Sequence, residues 1–349
     1  MMAKIRSQAE SLVRVVDHQY GDGSDSLIRA ADLLRSGRQI VITGMGASLF
    51  AALPLESQLC SLGIRAVAIE AGELLHYRHK AYRDAVVLMV SRSGESVEIA
   101  RLLALFKGSQ PVIGVSNIPE SLLGREADIA ISIASMNDDV VALQTYTGTL
   151  LTLYLLGKAV EEQLSAAQTE VEALLPRFAD LIDSSLKDIG QWNDFLRPGT
   201  SLYLLGRGYS CASTLEGALL FHEVAKSPAV PMASASFRHG PVEVVDASFR
   251  GLIFAPVGAG QKLNLALARD VVRFGSQVRV LGPANVAASE VPNIELPETS
   301  EMLAPLCEII PIQVAALRLA EMREIVPGSF RFAPAIALDE ENFSQPPGA

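Results

Sequence analysis

The sequence predicts an α/β protein with two tandem doubly wound parallel-sheet domains, each a flavodoxin-like three-layer α/β/α arrangement. The main observation is an internal repeat, in which residues 39–48 (QIVITGMGAS) are echoed by residues 201–210 (SLYLLGRGYS). In both copies an apolar run ends in Gly-x-Gly-x-Ser, and a long segment with the apolar periodicity of a helix follows. Continuous apolar runs of this kind are typical of strands buried in a parallel sheet.

Two further pairs of apolar runs extend the repeat. Residues 85–90 and 251–256 predict one pair of strands, and residues 111–115 and 277–281 predict another. Each half therefore has the order β-α-β-α-β, for which right-handed crossovers are expected. Ligands of such sheets bind at the carboxyl ends of the strands, so the loops that follow these runs are the first places to look for a site.

The same pattern sets the expected limits of the domains. They are an N-terminal helical segment at 1–26, a first domain at 27–165, a helical linker at 166–192, a second domain at 193–332 and a C-terminal tail at 333–349. One helical stretch, residues 149–186, is expected to join the domains, and residues 191–198 mark the start of the second.

Composition narrows the class of protein. A chain of 349 residues with 49% hydrophobic and 19% charged residues is expected to fold into about two well-packed domains. The net charge of −10 argues against a nucleic-acid partner. Three scattered cysteines (Cys60, Cys211, Cys307) argue against a disulfide scaffold, and the most apolar stretch, 150–156, is too short to span a membrane. We therefore expect a cytoplasmic protein without a membrane or nucleic-acid partner.

A turn of small hydroxyl residues directly follows the strand predicted at 85–90. Where a strand turns into a helix, backbone N–H groups and the helix dipole can hold an anion. Three serine hydroxyls could donate to phosphate oxygens, a glycine lets the backbone approach closely, and an arginine adds positive charge if it points inward. These residues are Ser91, Arg92, Ser93, Gly94 and Ser96. A serine-capped helix start is the alternative interpretation of the same turn.

No common cofactor motif fits the chain. The third glycine of a dinucleotide fingerprint would fall on Leu49 in the first repeat and on Cys211 in the second, and no P-loop sequence occurs. The sequence from His222 to Lys226 lacks the second histidine of a zinc-protease helix. Of the remaining histidines only a single pair, at positions 76 and 79, has ligand spacing, and a surface position is the alternative for it. We expect no metal and no other cofactor.

A second group of residues is suited to proton transfer. Glu216, Leu220 and Glu223 share one face of a predicted helix by their three- and four-residue spacing, so two carboxylates are near each other. His239 precedes Gly240-Pro241, a turn that would fix the backbone beside an imidazole able to act near neutral pH. The alternatives are a solvated glutamate stripe and a structural histidine.

In combination, the doubled fold, the Ser-x-Ser-Gly-Glu-Ser turn and Leu-Glu-Gly-Ala-Leu…Glu…His-Gly-Pro resemble the sugar isomerase (SIS) domain proteins, over residues 5–337. The nearest members are the isomerase half of glucosamine-6-phosphate synthase and the related amino-sugar-phosphate deaminases and fructosamine-phosphate deglycases. The resemblance implies two tandem SIS domains that bind a phosphorylated sugar. It places five residues around the phosphate: Ser48, Ser91, Arg92, Ser93 and Ser96.

The resemblance also implies the catalytic roles. Glu223 would shuttle a proton between C1 and C2 through an enediol, and Glu216 would line the same pocket. His239 would assist ring opening, donated across a homodimer interface that gives a shared active site. Further substrate contacts are expected at Gly46, Ala47, Val140, Arg207 and Ala333.

Several positions depart from the synthase pattern. Ala142 stands where the synthase has a serine, and Leu220 stands where it has a lysine. No lysine follows Lys262, so the synthase's C-terminal Schiff-base lysine is missing. The chain opens on the isomerase part, so we do not expect a complete glutamine-dependent synthase. The favoured activity is conversion of a hexosamine 6-phosphate into a ketose 6-phosphate and ammonia; the alternatives are a fructosamine-6-phosphate deglycase and a non-catalytic sugar-phosphate sensor.

Overall fold

A computed structural model describes residues 1–197, 200–284, 286, 291–332 and 336–340. Its helices are α1 (Met2–Arg6), α2 (Gln8–Tyr20), α3 (Ser24–Leu34), α4 (Ala47–Ser61), α5 (Ala71–Glu73), α6 (Val97–Phe106), α7 (Leu122–Glu126), α8 (Gln144–Val160), α9 (Leu164–Lys187), α10 (Cys211–Ala225), α11 (Ser234–Phe237), α12 (Gln261–Arg273) and α13 (Ala304–Met322). Its strands are β1 (Ile40–Gly44), β2 (Ala66–Glu70), β3 (Val86–Val90), β4 (Val112–Ser116), β5 (Ile129–Ser132), β6 (Ser201–Gly206), β7 (Val230–Ala233), β8 (Phe249–Phe254), β9 (Gln277–Gly282) and β10 (Asn293–Glu295).

The described residues form two compact units. The first unit contains residues 10–169 with the described part of 330–340, and the second contains residues 1–9 with the described part of 170–329. Each unit is built on one parallel sheet of five strands with helices, so the predicted α/β class with two parallel sheets is confirmed.

The sheet of the first unit has the strand order β2-β1-β3-β4-β5, the flavodoxin-like 2-1-3-4-5 order. The strands predicted from residues 39–44, 85–90 and 111–115 are confirmed as β1, β3 and β4, and every residue of these three strands is buried. Gly44 at the end of β1 lies beside Val90 at the end of β3. The loops that follow these two strands therefore begin at the same edge of the sheet.

Apolar side chains fill both faces of this first sheet. On one face, Val87 and Met89 of β3 cluster with Ile99, Leu102 and Phe106 of α6. The alternate residues of β3 point to the opposite face and are also fully buried. Helices α3, α4 and α8 pack on one another and against the strands. This is the double covering that a parallel sheet requires.

The sheet of the second unit has the order β10-β9-β8-β6-β7 and repeats the topology of the first. A Cβ added to Gly217 of α10 would lie 2.4 Å from Cδ2 of Leu204 and 3.2 Å from Cγ2 of Ile312 on α13, so α10 and α13 pack on the Leu204 face. Leu205, the next residue of β6, points to the other face and clusters there with Phe237 and with residues of α12.

The helical stretch predicted over 149–186 consists of two helices, α8 and α9. They are separated at residues 161–163, where Glu162 has a left-handed backbone (φ +61°). The second half was expected to start at 191–198. A short 3₁₀ turn over Ile189–Trp192 overlaps the beginning of this segment.

Candidate active site

The loops after β1 and β3 meet at the carboxyl edge of the first sheet. Gly44 and Val90 are so close that a Cβ on Gly44 would lie 2.6 Å from the Val90 carbonyl oxygen. Gly46 then adopts a left-handed backbone (φ +48°) and Ala47 begins α4. Ser48 follows in the first turn of α4, and its N–H donates to the Met45 carbonyl at 3.1 Å. The structure thus brings Ser48 to the edge where the predicted phosphate turn starts.

The predicted phosphate turn, residues 91–96, holds its shape through two of its own serines. The Gly94 N–H donates to Ser91 Oγ at 3.1 Å, and the Glu95 N–H donates to Ser93 Oγ at 3.3 Å. Both serines are buried. A hydroxyl that accepts a backbone N–H keeps its own hydrogen, which is then able to donate to an anion.

Gly94 fits where no larger residue does. Its φ is +66°, and an added Cβ would lie 2.2 Å from Ser121 Oγ and 2.7 Å from Ser121 Cβ. The Gly94 carbonyl accepts the Leu123 N–H at 3.1 Å, and the Glu95 carboxylate accepts the Leu122 N–H at 2.6 Å. The start of α7 therefore packs against the turn and donates hydrogen bonds to it.

The turn ends at the amino end of α6. Ser96 takes the N-cap position with an extended backbone, and its side chain makes no capping hydrogen bond. The Val97 N–H donates to the Ala337 carbonyl at 3.1 Å, so the C-terminal segment lies against the start of this helix. Ser96 therefore leaves its hydroxyl free of a capping bond at a helix start, and the dipole of such a start favours an anion.

Arg92 lies in the turn, and its side chain is directed toward Val140, another predicted site residue. Its Nη1 donates to the Val140 carbonyl at 2.8 Å, and the side chain is half-buried. This bond brings Arg92 and Val140 together and fixes the guanidinium beside the serine turn. Ala333 lies outside the described residues.

The second unit carries the candidate proton-transfer residues. Glu216 of α10 is buried, while Glu223, two turns later, is half-buried. Seven residues of helix separate them by about 10 Å along the axis. Lys226 follows the end of α10 in a left-handed conformation and donates through Nζ to the Glu223 carbonyl.

His239 lies elsewhere in the second unit. It is exposed, and its N–H donates to the Ser236 carbonyl at 3.0 Å in the turn after α11. Two residues earlier, the Phe237 ring packs on Tyr203 with centroids 5.7 Å apart, on the face opposite to α10. Helix α10, which carries Glu223, and the ring of Phe237, two residues before His239, therefore pack on opposite faces of the second sheet.

The second sheet has its own counterpart of the phosphate turn, and it is built differently. The segment 256–260 after β8 contains no serine, and the Ala259 N–H donates to Glu301 Oε2 at 3.4 Å. A Cβ on Gly258 would lie 2.2 Å from Glu301 Oε2. The carboxylate of Glu301 thus occupies the position at the start of α12. Arg207, a predicted substrate contact, donates through Nε to Asn264 Oδ1 at 3.1 Å at the same edge.

The sequence analysis missed a buried carboxyl group, Glu308 of α13. It is fully buried and accepts hydrogen bonds from Ser210 Oγ (2.7 Å) and Ser213 Oγ (2.6 Å) at the start of α10. Burial raises the pKa of Glu308 to about 7; the two hydroxyl donors lower it, and the nearby charge of Glu301 raises it further. The available signal was a single acid within the apolar run 302–317.

The described residues lack two features that would change the class of protein, a metal cluster and a membrane-spanning helix. They contain no cluster of three or more His, Cys, Asp or Glu side chains able to hold a metal ion. None of their helices combines the length and the apolar character that a membrane crossing requires.

Comparison with known proteins gives consistent matches. Residues 33–159 match the family model described as SIS domain. Glutamine–fructose-6-phosphate aminotransferase (isomerizing) of Pyrococcus horikoshii is 30% identical over 319 residues, which are 88% of this chain and 53% of that protein. The chain thus spans about half the length of the curated relatives that it matches.

Solved structures share the fold along nearly the whole chain. The C-terminal domain of glucosamine-fructose-6-phosphate aminotransferase from Francisella tularensis has a TM-score of 0.82 at 22% identity, covering 93% of this chain and 97% of that one. Glucosamine-6-phosphate deaminase from Thermotoga maritima has a TM-score of 0.73 at 18% identity, covering 94% and 99%.

Proposed function

Since the chain belongs to the SIS domain family, we propose that it is a phosphosugar isomerase with two tandem SIS domains that acts as a deaminase on an amino-sugar phosphate. The substrate is a hexosamine 6-phosphate, and the products are a ketose 6-phosphate and ammonia. The observation that carries the proposal is the 91–96 turn, whose buried serines accept backbone N–H groups and keep their hydroxyl hydrogens for an anion.

The first unit binds the phosphate. Ser48, Ser91, Ser93 and Ser96 lie on the loops that start at the β1 and β3 edge, and the dipole of α6 adds to their attraction for an anion. Arg92 contributes positive charge from the same turn. Gly46, Ala47 and Val140 contact the sugar from the neighbouring loops.

One phosphate binds per chain, because the counterpart position in the second unit already holds an anion. The Glu301 carboxylate accepts the Ala259 N–H there and fills the space beside Gly258. A phosphate at that position would meet a like charge, which is unfavourable.

The second unit carries the chemistry. His239 assists ring opening by moving the proton from the anomeric hydroxyl to the ring oxygen, which gives the open aldehyde. Glu223 takes the proton from C2 and returns it to C1, while the C1 oxygen gains a proton and the amine nitrogen loses one, so that the C2 amine becomes a ketimine and C1 an alcohol. Water then adds at C2 and ammonia leaves, which gives the ketose. Glu216 lines the pocket, and the sequence has no lysine after Lys262 for a C-terminal imine.

The enzyme works as a homodimer with shared active sites. Support comes from the packing of α10, which carries Glu223, and of Phe237, two residues before His239, on opposite faces of the second sheet in one chain. A histidine donated by a second copy removes this separation.

The first experiment measures ammonia release and isomerisation together over a panel of hexosamine 6-phosphates and fructosamine 6-phosphates. Ammonia from a simple hexosamine phosphate supports the proposal. Amino-acid release from a conjugate indicates a deglycase instead, and ligand binding without turnover indicates a sensor. Glu223→Gln should lower turnover by about 10²–10⁴-fold and leave binding of inorganic phosphate unchanged. The matched control Glu243→Gln, an exposed carboxylate of the same unit, should retain turnover.

A mixing experiment tests the shared site. Glu223→Gln and His239→Asn chains are each inactive alone, and in a 1:1 random mixture half of the dimers are hybrids with one intact site out of two. The mixture should therefore recover about a quarter of wild-type activity. No recovery after verified subunit exchange would show that both residues act within one chain.

A further inference from the structure

A buried negative charge lies at the amino end of α10, the helix that carries Glu216 and Glu223. Glu308 is fully buried on α13, and its two oxygens accept the hydroxyls of Ser210 and Ser213 at 2.7 Å and 2.6 Å. Both serines are themselves fully buried. The carboxylate therefore holds the first turn of α10 at two points.

One of the two serines, Ser210, lies at the position where serine usually caps its own helix. Ser210 is the N-cap residue, yet its side chain accepts no backbone N–H of α10 and donates to Glu308 instead. A carboxylate at a helix amino end also interacts favourably with the helix dipole. The connection between α13 and the start of α10 thus runs through the Glu308 carboxyl group.

Several charged or titratable groups surround Glu308. They are Cys307 beside it on α13, Cys211 on α10, Arg207 after β6, Glu301 before α13, and Arg177 on α9, which acts on Cys307. Burial raises the pKa of Cys307 to about 12, and burial with the charge of Glu308 raises that of Cys211. Both thiols are thus neutral at physiological pH, and Glu308 is the group of this cluster whose charge changes there.

We propose that Glu308 is a positioning residue, whose carboxylate holds the amino end of α10 and releases it when the carboxylate takes up a proton. A protonated carboxyl group donates one hydrogen bond, so only one of its serines keeps its present role and the other must turn. The shift of α10 reaches Glu216 one turn after Ser213 and Glu223 two turns further on. The inference rests on the proposed function for the role of these two glutamates.

A neutral residue would be buried at lower cost but would lose one of the two contacts. Burial makes the ionised form of Glu308 unfavourable, whereas a glutamine, like the protonated acid, offers one acceptor oxygen and cannot accept both serine hydroxyls in the same way. A buried charge that lowers stability points to a use in function.

The test compares activity and structure across pH. Glu308→Gln resembles the protonated form, so the ratio of wild-type to variant kcat/KM should rise from about one at pH 6 to about tenfold at pH 8. Ser213→Ala removes a donor that lowers the pKa of Glu308, so the acid limb of its pH profile should move to higher pH. Glu321→Gln, a charge change at the exposed end of α13, is the control and should leave the profile unchanged.

A flat ratio for Glu308→Gln, or an unmoved limb for Ser213→Ala, would overturn the proposal. Amide exchange of the peptide 207–216 at pH 6 and pH 8, corrected for intrinsic rates, needs no turnover. In the wild type, protection of this peptide should be lower at pH 6 than at pH 8, and Glu308→Gln should abolish this difference. Equal wild-type protection at both pH values would overturn the proposal. If the wild type is inactive on every sugar phosphate, the proposed function fails while the exchange result still decides the role of Glu308.

Discussion

Replacing Gly94 by alanine tests the geometry of the phosphate turn. The new Cβ would lie 2.2 Å from Ser121 Oγ and 2.7 Å from Ser121 Cβ, and the φ of +66° is unfavourable for alanine. The backbone cost is ~1–2 kcal/mol and the overpacking cost is ~1–3 kcal/mol. Together they should lower the free energy of unfolding by ~2–5 kcal/mol. Because the serine hydroxyls would shift with the turn, phosphate binding should weaken as well.

Gly108→Ala is the matched control. Gly108 has a φ of +75° and lies two residues after the end of α6. Nothing lies within 4 Å of an added Cβ there. It therefore carries the backbone cost without the collision, and its loss should be ~1–2 kcal/mol with phosphate binding unchanged.

Urea unfolding gives the two stabilities, and calorimetry with inorganic phosphate gives the two affinities. The difference between the variants measures the collision with Ser121. If Gly94→Ala and Gly108→Ala lose the same free energy of unfolding and bind phosphate equally well, the close support of the turn by the start of α7 is refuted.

Three further predictions concern charge and packing. Since burial raises the pKa of Glu308 from 4.5 to about 7, the unfolded state loses this proton first, and the free energy of unfolding should fall by up to ~3 kcal/mol as the pH rises from 4.5 to 7. Urea unfolding at pH 5 and pH 8 checks this fall, which Glu308→Gln should remove. Gly217→Ala would place a Cβ 2.4 Å from Leu204 and should cost ~1–3 kcal/mol by thermal unfolding. Arg92→Ala removes a positive charge and the bond to Val140, so phosphate affinity should fall by about tenfold in a calorimetric titration.

The buried strands could be predicted from the sequence because each is a continuous apolar run. β1, β3 and β4 are buried at every residue, and a run of that kind has few other uses. The strands that were not predicted (β2, β5, β7 and β10) each have residues that are only partly buried, and all but β2 are shorter than the predicted ones. Short, half-exposed segments lack the apolar pattern that identifies a strand.

The break between α8 and α9 has no local signal. Glu162 adopts the left-handed conformation that glycine usually supplies, and its neighbours are a glutamate and a glutamine. Apolar residues continue with helical spacing on both sides of the break. A pattern of apolar spacing therefore predicts one helix where the chain turns.

The candidate site was likewise predictable from the sequence only in part. The serine turn was recognisable because its residues are contiguous between 91 and 96 and follow a clear strand. Glu308 was not, because its partners Ser210 and Ser213 lie 98 and 95 residues away in the chain. The predicted domain limits stay a prediction, as do the roles of Glu223 and His239.

The two halves of the repeat keep the same sheet topology but differ at the matching edge. In the first unit, the turn after β3 presents serine hydroxyls that accept backbone N–H groups and keep their own hydrogens as possible donors. In the second unit, the turn after β8 receives a carboxylate from Glu301, and the start of α10 receives a second one from Glu308. A phosphate would be repelled at an edge that already holds two carboxylates. One of these carboxyl groups, Glu308, has a pKa near neutral pH. In the proposed mechanism, the edge of the first sheet binds the substrate phosphate and the edge of the second controls the helix that carries Glu216 and Glu223.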